Sequence, residues 1–142
     1  MTEPPLTKIA FTDEQGDIET LWAFDLGGGR YKLDSTPWYQ YGVSWQDIVS
    51  ASLRDGQLHF DRVLTKSGYR TLRVRSDQRV PQGLLDSLVE IGCSYEGANP
   101  TFISIDVPSS TELQAAVDLL MASGLEWEHA DPTYEQIHES ED

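Results

Sequence analysis

Gly92-Cys93-Ser94-Tyr95-Glu96-Gly97-Ala98-Asn99-Pro100-Thr101-Phe102 lays over Gly124-Leu125-Glu126-Trp127-Glu128-His129-Ala130-Asp131-Pro132-Thr133-Tyr134 at an offset of 32 residues. Gly, Glu, Ala, Pro and Thr coincide; Tyr/Trp, Asn/Asp and Phe/Tyr are near matches. Continued backward, Asp86 meets Asp118 and Leu88 meets Leu120. Each copy closes a helical pattern. Leu84, Leu85, Leu88 and Ile91 follow Pro81, which suits a first helical turn, and Gly92 suits the stop. Leu113, Ala116, Val117, Leu120 and Met121 form an apolar stripe after Ser109-Ser110-Thr111-Glu112, which has the form of a capping box, and Gly124 ends it. The reading is two strand–helix–strand copies: strand 70–75, helix 81–91 and strand 93–97, then strand 102–107, helix 110–123 and strand 125–130. That order, βαββαβ, is the ferredoxin-like plan, with two helices on one sheet face. Arg73, Arg75, Ser94, Glu96, Ser104, Asp106, Glu126 and Glu128 then alternate onto the other face. Cys93, Tyr95, Leu125 and Trp127 point toward the helices.

Upstream, the pattern is that of hairpins. Glu19 to Leu33 turns at Gly27-Gly28-Gly29, and Asp47–Leu53 pairs with Gln57–Leu64 around Asp55-Gly56, a strong hairpin signal. The triple glycine lacks the Lys-Ser/Thr of a phosphate-binding loop, and no helix follows it. The expected fold class is therefore α+β: a small antiparallel β-module, barrel-like, over residues 19–68, fused through a shared strand to a ferredoxin-like unit over 69–134. Residues 1–18 are expected as an N-terminal extension and 135–142 as a frayed acidic tail.

Charge is distributed unevenly. The 142-residue chain has a net charge of −14. Residues 1–79 hold all ten lysines and arginines against eleven acidic residues, whereas residues 80–142 hold thirteen acidic residues and no Lys or Arg. Such a balance serves solubility, and it also attracts a basic partner. It disfavours direct binding to nucleic acid, which needs a basic footprint. No apolar run reaches bilayer length, the N-terminus lacks a secretory pattern, and one cysteine excludes an internal disulfide. A cytoplasmic location is expected.

Pro37-Trp38-Tyr39, Tyr41-Gly42-Val43-Ser44, Asp47-Ile48-Val49, Leu58-His59-Phe60 and Ser67-Gly68-Tyr69-Arg70-Thr71-Leu72-Arg73-Val74, with Leu21-Trp22 and Tyr31, carry a resemblance. As a set they resemble the bacterial domain-of-unknown-function family numbered 4265, most of all over residues 20–75. The resemblance implies small bacterial cytosolic proteins with no assigned enzymatic chemistry, so it supplies no catalytic residues.

The residues give no cofactor motif. His59, His129 and His138 lack the helical i, i+4 spacing of a zinc site, and Cys93 falls on the core side of a strand. G-x-S-x-G is absent. The informative feature is aromatic. Trp22, Phe24, Tyr31, Trp38, Tyr39, Tyr41 and Trp45 are half of the fourteen aromatics. Trp38-Tyr39-Gln40-Tyr41 lies in a loop, where alternate burial cannot hide every ring; core packing and interface both remain open for it. The expected partner-binding set is Trp38, Tyr39, Tyr41, Trp45, Glu96, Asp106, Glu126 and Glu128. The leading expectation is a non-enzymatic acidic protein that binds a basic partner, as an immunity or antitoxin protein occludes a secreted toxin. Size and charge carry that analogy. One alternative is a regulatory module binding a small anion near Gly92, Gly124, Arg73 and Arg75. Another is an enzyme of unrecognised type, with a pocket at Asp34, Asp47 and Arg70.

Overall fold

The computed structural model describes residues 4–139. Nine strands and three helices form two bodies. The strands β1 (Leu6–Thr12), β2 (Ile18–Gly27), β3 (Arg30–Leu33), β4 (Ile48–Arg54) and β5 (Gln57–Thr65) close a barrel. Neighbours are antiparallel except β1 and β5, whose parallel pairing (Ile9 with Leu58, Ala10 with His59) closes the ring. Ile9, Phe11, Leu21, Ala23, Leu33, Val43 and Val49 fill its core. The Asp55-Gly56 turn has φ of 53° and 81°, the paired positive values that a tight hairpin between twisted strands requires.

The segment 1–18, expected as an extension, thus contains a barrel strand. Leu6 to Thr12 pairs with β2 along its whole length. Ile9, Ala10 and Phe11 are all buried, so the strand lacks the polar–apolar alternation by which a half-buried strand is read.

The second body is a four-stranded antiparallel sheet. Its strands are β6 (Arg70–Arg75), β7 (Ser94–Asn99), β8 (Phe102–Val107) and β9 (Glu126–Asp131), in spatial order β7-β8-β6-β9. Helices α1 (Gln82–Glu90) and α2 (Leu113–Ser123) pack on one face, over Leu72, Val74, Ile103, Ile105 and Val107. The two repeat copies end on β7 and β9, which form the two edges of the sheet.

Three sequence expectations change at element ends. Helix α2 begins at Leu113 rather than 110. Glu112 is its N-cap with no side-chain cap bond, and the Thr111 hydroxyl instead donates to Ile91 O at 2.7 Å. That contact ties the start of α2 to the end of α1, beside Gly92 at φ 105°. A Cβ there would meet Thr111 Oγ1 at 2.6 Å, so glycine is required sterically as well as conformationally. Residues 134–139 form helix α3 (Tyr134–Glu139), not a frayed tail; the rest of that expected tail, 140–142, lies outside the described residues. Among the described residues, no helix is long and apolar enough to cross a membrane.

Candidate functional site

The sheet face opposite the helices is polar by sequence, yet much of it is covered. The chain between β3 and β4 lies across it. Pro37 O accepts from Ser104 Oγ at 3.1 Å and from Arg73 Nη2 at 3.3 Å. Arg73 Nη2 also donates to Gln40 O, and Nη1 pairs with Glu128 Oε1 at 3.3 Å. The guanidinium lies over the Tyr41 ring at 5.2 Å, while Tyr41 Oη donates to Glu128 Oε2 at 2.7 Å. Arg73 is only 2% exposed. Burial lowers its pKa and Glu128 opposes that shift; the hydrogen bond to Glu128, with burial, raises that of Tyr41.

From the barrel side, one carboxylate holds the same loop. Glu19 accepts three backbone N–H groups: Trp38 at 2.5 Å, Tyr39 at 3.1 Å and Gln40 at 3.2 Å. With carbonyls bound by Arg73 and amides by Glu19, the loop backbone is fixed. Tyr39 and Tyr41 remain 56% and 50% exposed. These are rings presented on a rigid support, which lowers the entropy cost of binding.

The expected partner-binding residues fall into two groups. Trp38, Tyr39, Tyr41, Glu126 and Glu128 converge on one recess of about 300 Å³, which Arg73, Arg75 and Phe102 also line. The Arg75 guanidinium lies 4.9 Å from the Phe102 ring centre. Trp38 Nε1 and Arg73 Nε have no hydrogen-bond partner there. The other three residues stand apart. Trp45 packs on Tyr69, with ring centres 4.9 Å apart. Glu96 is exposed on β7, at the opposite edge of the sheet. Asp106 is a correction: it is 2% exposed beneath the loop, out of reach of any partner.

Asp106 nevertheless has a measurable consequence. The Thr36 hydroxyl lies 3.0 and 2.9 Å from its two oxygens and donates between them. Burial pushes its pKa up from 3.8 to about 7, against the Thr36 bond, which lowers it. A carboxyl with a raised folded pKa contributes stability in its protonated form. That contribution is complete below about pH 4 and is lost as pH rises through about 7. Asp106→Asn keeps the group neutral throughout. Urea denaturation should therefore show the variant gaining on wild type from about pH 5 to about pH 8, by roughly 2–4 kcal/mol. Parallel pH profiles for the two proteins would contradict this.

The larger concavity was not foreseen from sequence. A channel of about 1240 Å³ runs between β9 and the β1–β2 turn. Asp13, Glu14, Asp17, Glu128 and Glu135 line it with Tyr39, Tyr41, Trp127 and Tyr134, and no Lys or Arg does. Asp13 Oδ1 holds the turn by accepting Gln15 and Asp17 N–H, each at 2.9 Å. The available signal was Thr12-Asp13-Glu14-Gln15-Gly16-Asp17, an acidic turn between two apolar runs.

Asp47 is fully buried, and Arg70 Nη2 donates to the carbonyls of Pro108 and Thr111. Neither they nor Asp34 lines the recess or the channel. Arg73 is bonded to the loop carbonyls and to Glu128, with Nε left unpartnered. Burial pushes the Cys93 thiol up to about 11, which keeps it protonated at neutral pH. Among the described residues, no group of three or more His, Cys, Asp or Glu is placed to hold a metal ion.

Fold and site together define a two-body α+β protein with a rigid aromatic loop beside an acidic channel. The chain belongs to the family described as Domain of unknown function (DUF4265), which it matches over residues 19–129. Strand β1 lies outside the matched span. The structure is similar to the crystal structure of a hypothetical protein from Neisseria gonorrhoeae, at 18% sequence identity and a TM-score of 0.77. That similarity covers 94% of this chain and 98% of the other. No curated protein matches the chain.

Proposed function

We propose that this protein is a non-enzymatic binding protein of the cytoplasm that captures a basic protein partner on its acidic, aromatic face. The role we assign is that of an immunity or antitoxin protein, occluding the active site of a secreted toxin. The carrying observation is the channel itself, with five carboxylates, four Tyr and Trp rings and His129 but no lysine or arginine in its lining. Acidic groups steer a basic partner into encounter, and exposed tyrosines anchor it. The loop clamp through Glu19 and Arg73 supports this reading, because it presents Tyr39 and Tyr41 in place before the partner arrives. We also read the second body as ferredoxin-like. Its βαββαβ connectivity, order β7-β8-β6-β9 and helices on one face support that reading.

The test is kinetic and uses the partner recovered from the host lysate. Association should slow by about tenfold or more between low salt and about 0.5 M salt, with dissociation little changed. Tyr39→Ala should weaken affinity by about tenfold or more while leaving thermal stability near wild type, since the ring is mostly exposed. An association rate indifferent to salt would overturn electrostatic capture.

A second reading is favoured by an adjoining recess of about 450 Å³ whose lining includes Arg75, Arg79 and Gly124 together with Asp77 and Glu126. This would be a regulatory site for a small anion. A thermal-shift screen with amino acids and nucleotides tests it, and no stabilised condition would exclude it.

A further inference from the structure

We propose that the captured segment binds as an extended strand, bearing lysine or arginine at alternate positions, added to the outer edge of β9. The inference rests on the reading of the chain as a capture protein for a basic partner. It adds the mode of capture and the pattern recognised.

Strand β9 is an edge of the sheet, and β6 is its one partner strand among the described residues. Its far end is tied down, because Gly42 N–H donates to Ala130 O at 2.8 Å. Along Glu126–Glu128 no described strand or loop backbone pairs on the outer side. A row of backbone donors and acceptors there needs water or an incoming strand. The acidic channel opens beside this edge, with Trp127 and Glu128 among its lining. At about 1240 Å³ it exceeds the ~300–1,000 Å³ of ordinary small-molecule pockets, which suits a length of chain.

Alternation sets the pattern. Glu126 and Glu128 stand two residues apart on one face of β9, and side chains of an added strand repeat with the same period. Basic residues at alternate positions would lie opposite both carboxylates as cross-strand pairs. Tyr41, bonded to Glu128, supplies a ring for a cation or its aliphatic stem. The opposite carboxylate wall comes from Glu14 and Asp17 of the β1–β2 turn, both exposed. The same charges act against a second copy of this chain, because β9 laid on β9 brings like charges together. The occupant is therefore a strand of opposite charge.

The probe is a synthetic peptide of about ten residues alternating lysine and threonine. Its controls are the same peptide N-methylated at alternate amides and a glutamate–threonine analogue. The readout is amide hydrogen exchange of the intact protein. The lysine peptide should slow exchange by about tenfold or more at amides within Glu126–Glu128. N-methylation, which keeps the charge but removes strand donors, should abolish that protection, and the glutamate peptide should give none. Glu14→Lys/Asp17→Lys, at exposed turn positions, should weaken binding without altering exchange of the free protein. Protection that survives N-methylation, or that falls on β7 or the barrel, would overturn edge addition while leaving electrostatic capture intact. No binding of the lysine peptide at all would overturn both. Concentration-dependent protection of β9 without peptide would assign the edge to a second copy and overturn this proposal alone.

Discussion

Lys66→Met should lower the stability of the protein by roughly 3 kcal/mol, read as a drop in the urea midpoint with little change in slope. Lys66 is the one cation of a polar cluster that joins the barrel to the sheet. Its ammonium contacts Asp47 Oδ2 at 2.5 Å, Asp131, and Gly42 O at 3.3 Å. Asp47 is buried completely, and its carboxylate also accepts Ser44 N–H at 2.8 Å and Ser67 N–H at 2.7 Å. Ser44 Oγ donates to Asp131 at 2.5 Å and lies 2.7 Å from Thr71 Oγ1. Methionine keeps the unbranched apolar stem, one atom shorter, and removes the charge, so two carboxylates face each other without compensation. Removing one partner of a buried pair costs about 3–5 kcal/mol; Lys66 is 45% exposed, and water entering its place holds the loss toward the lower end. Neutralising one carboxylate tests the cause. Lys66→Met/Asp131→Asn should recover more than half of the loss. If the double variant is no better than the single one, charge imbalance is not the reason.

Arg73→Met should cost about 3 kcal/mol and, unlike the first substitution, should release the aromatic loop. It strips the donors from Pro37 O, Gln40 O and one Glu128 oxygen, and removes the guanidinium from the Tyr41 face. Pro37 O keeps its bond from Ser104 Oγ, so Gln40 O is the loop carbonyl left unmet, at about 1–3 kcal/mol, while Glu128 is exposed enough to be rehydrated. Arg73→Lys should not restore the protein. A single ammonium cannot reproduce a planar fork that reaches two loop carbonyls and a carboxylate at once. Amide exchange at Trp38, Tyr39 and Gln40 is the discriminating readout. It should accelerate in both variants of Arg73 and stay near wild type in Lys66→Met. Unchanged exchange in Arg73→Met would show that Glu19 alone fixes the loop.

The contrast between these two clusters explains what the sequence could reveal. Repeats and periodicity are local, so the offset of 32 residues and the apolar stripes of α1 and α2 were enough to lay out β6 through β9. Asp55-Gly56 and Gly124 were legible for the same reason: each needs only its own backbone geometry. The barrel was legible except for β1. There Ile9, Ala10 and Phe11 are all buried in succession while Leu6 is exposed, so burial does not follow a simple alternation. The outer sheet face misled for a tertiary reason. Thr71, Arg73, Ser104 and Asp106 alternate as a solvent face would, yet all four are buried beneath the loop from β3 to β4. Thr36 and Asp106, bonded to each other, are 70 positions apart in the chain, and no local pattern announces such a pair. The acidic channel has the same origin. Its walls come from residues 12–17, 39–41 and 127–135, which meet only in the folded molecule.

Capture from the lysate of the protein's own host, with wild type and Glu14→Lys/Asp17→Lys/Glu135→Lys side by side, is the most direct test. All three positions are exposed in the channel wall, so the variant should fold as wild type does. Electrostatic capture predicts one basic protein held in stoichiometric amount by wild type at low salt, released by a wash at about 0.5 M salt, and absent from the variant. A partner held equally by both proteins, or no basic partner on the wild type, would contradict it.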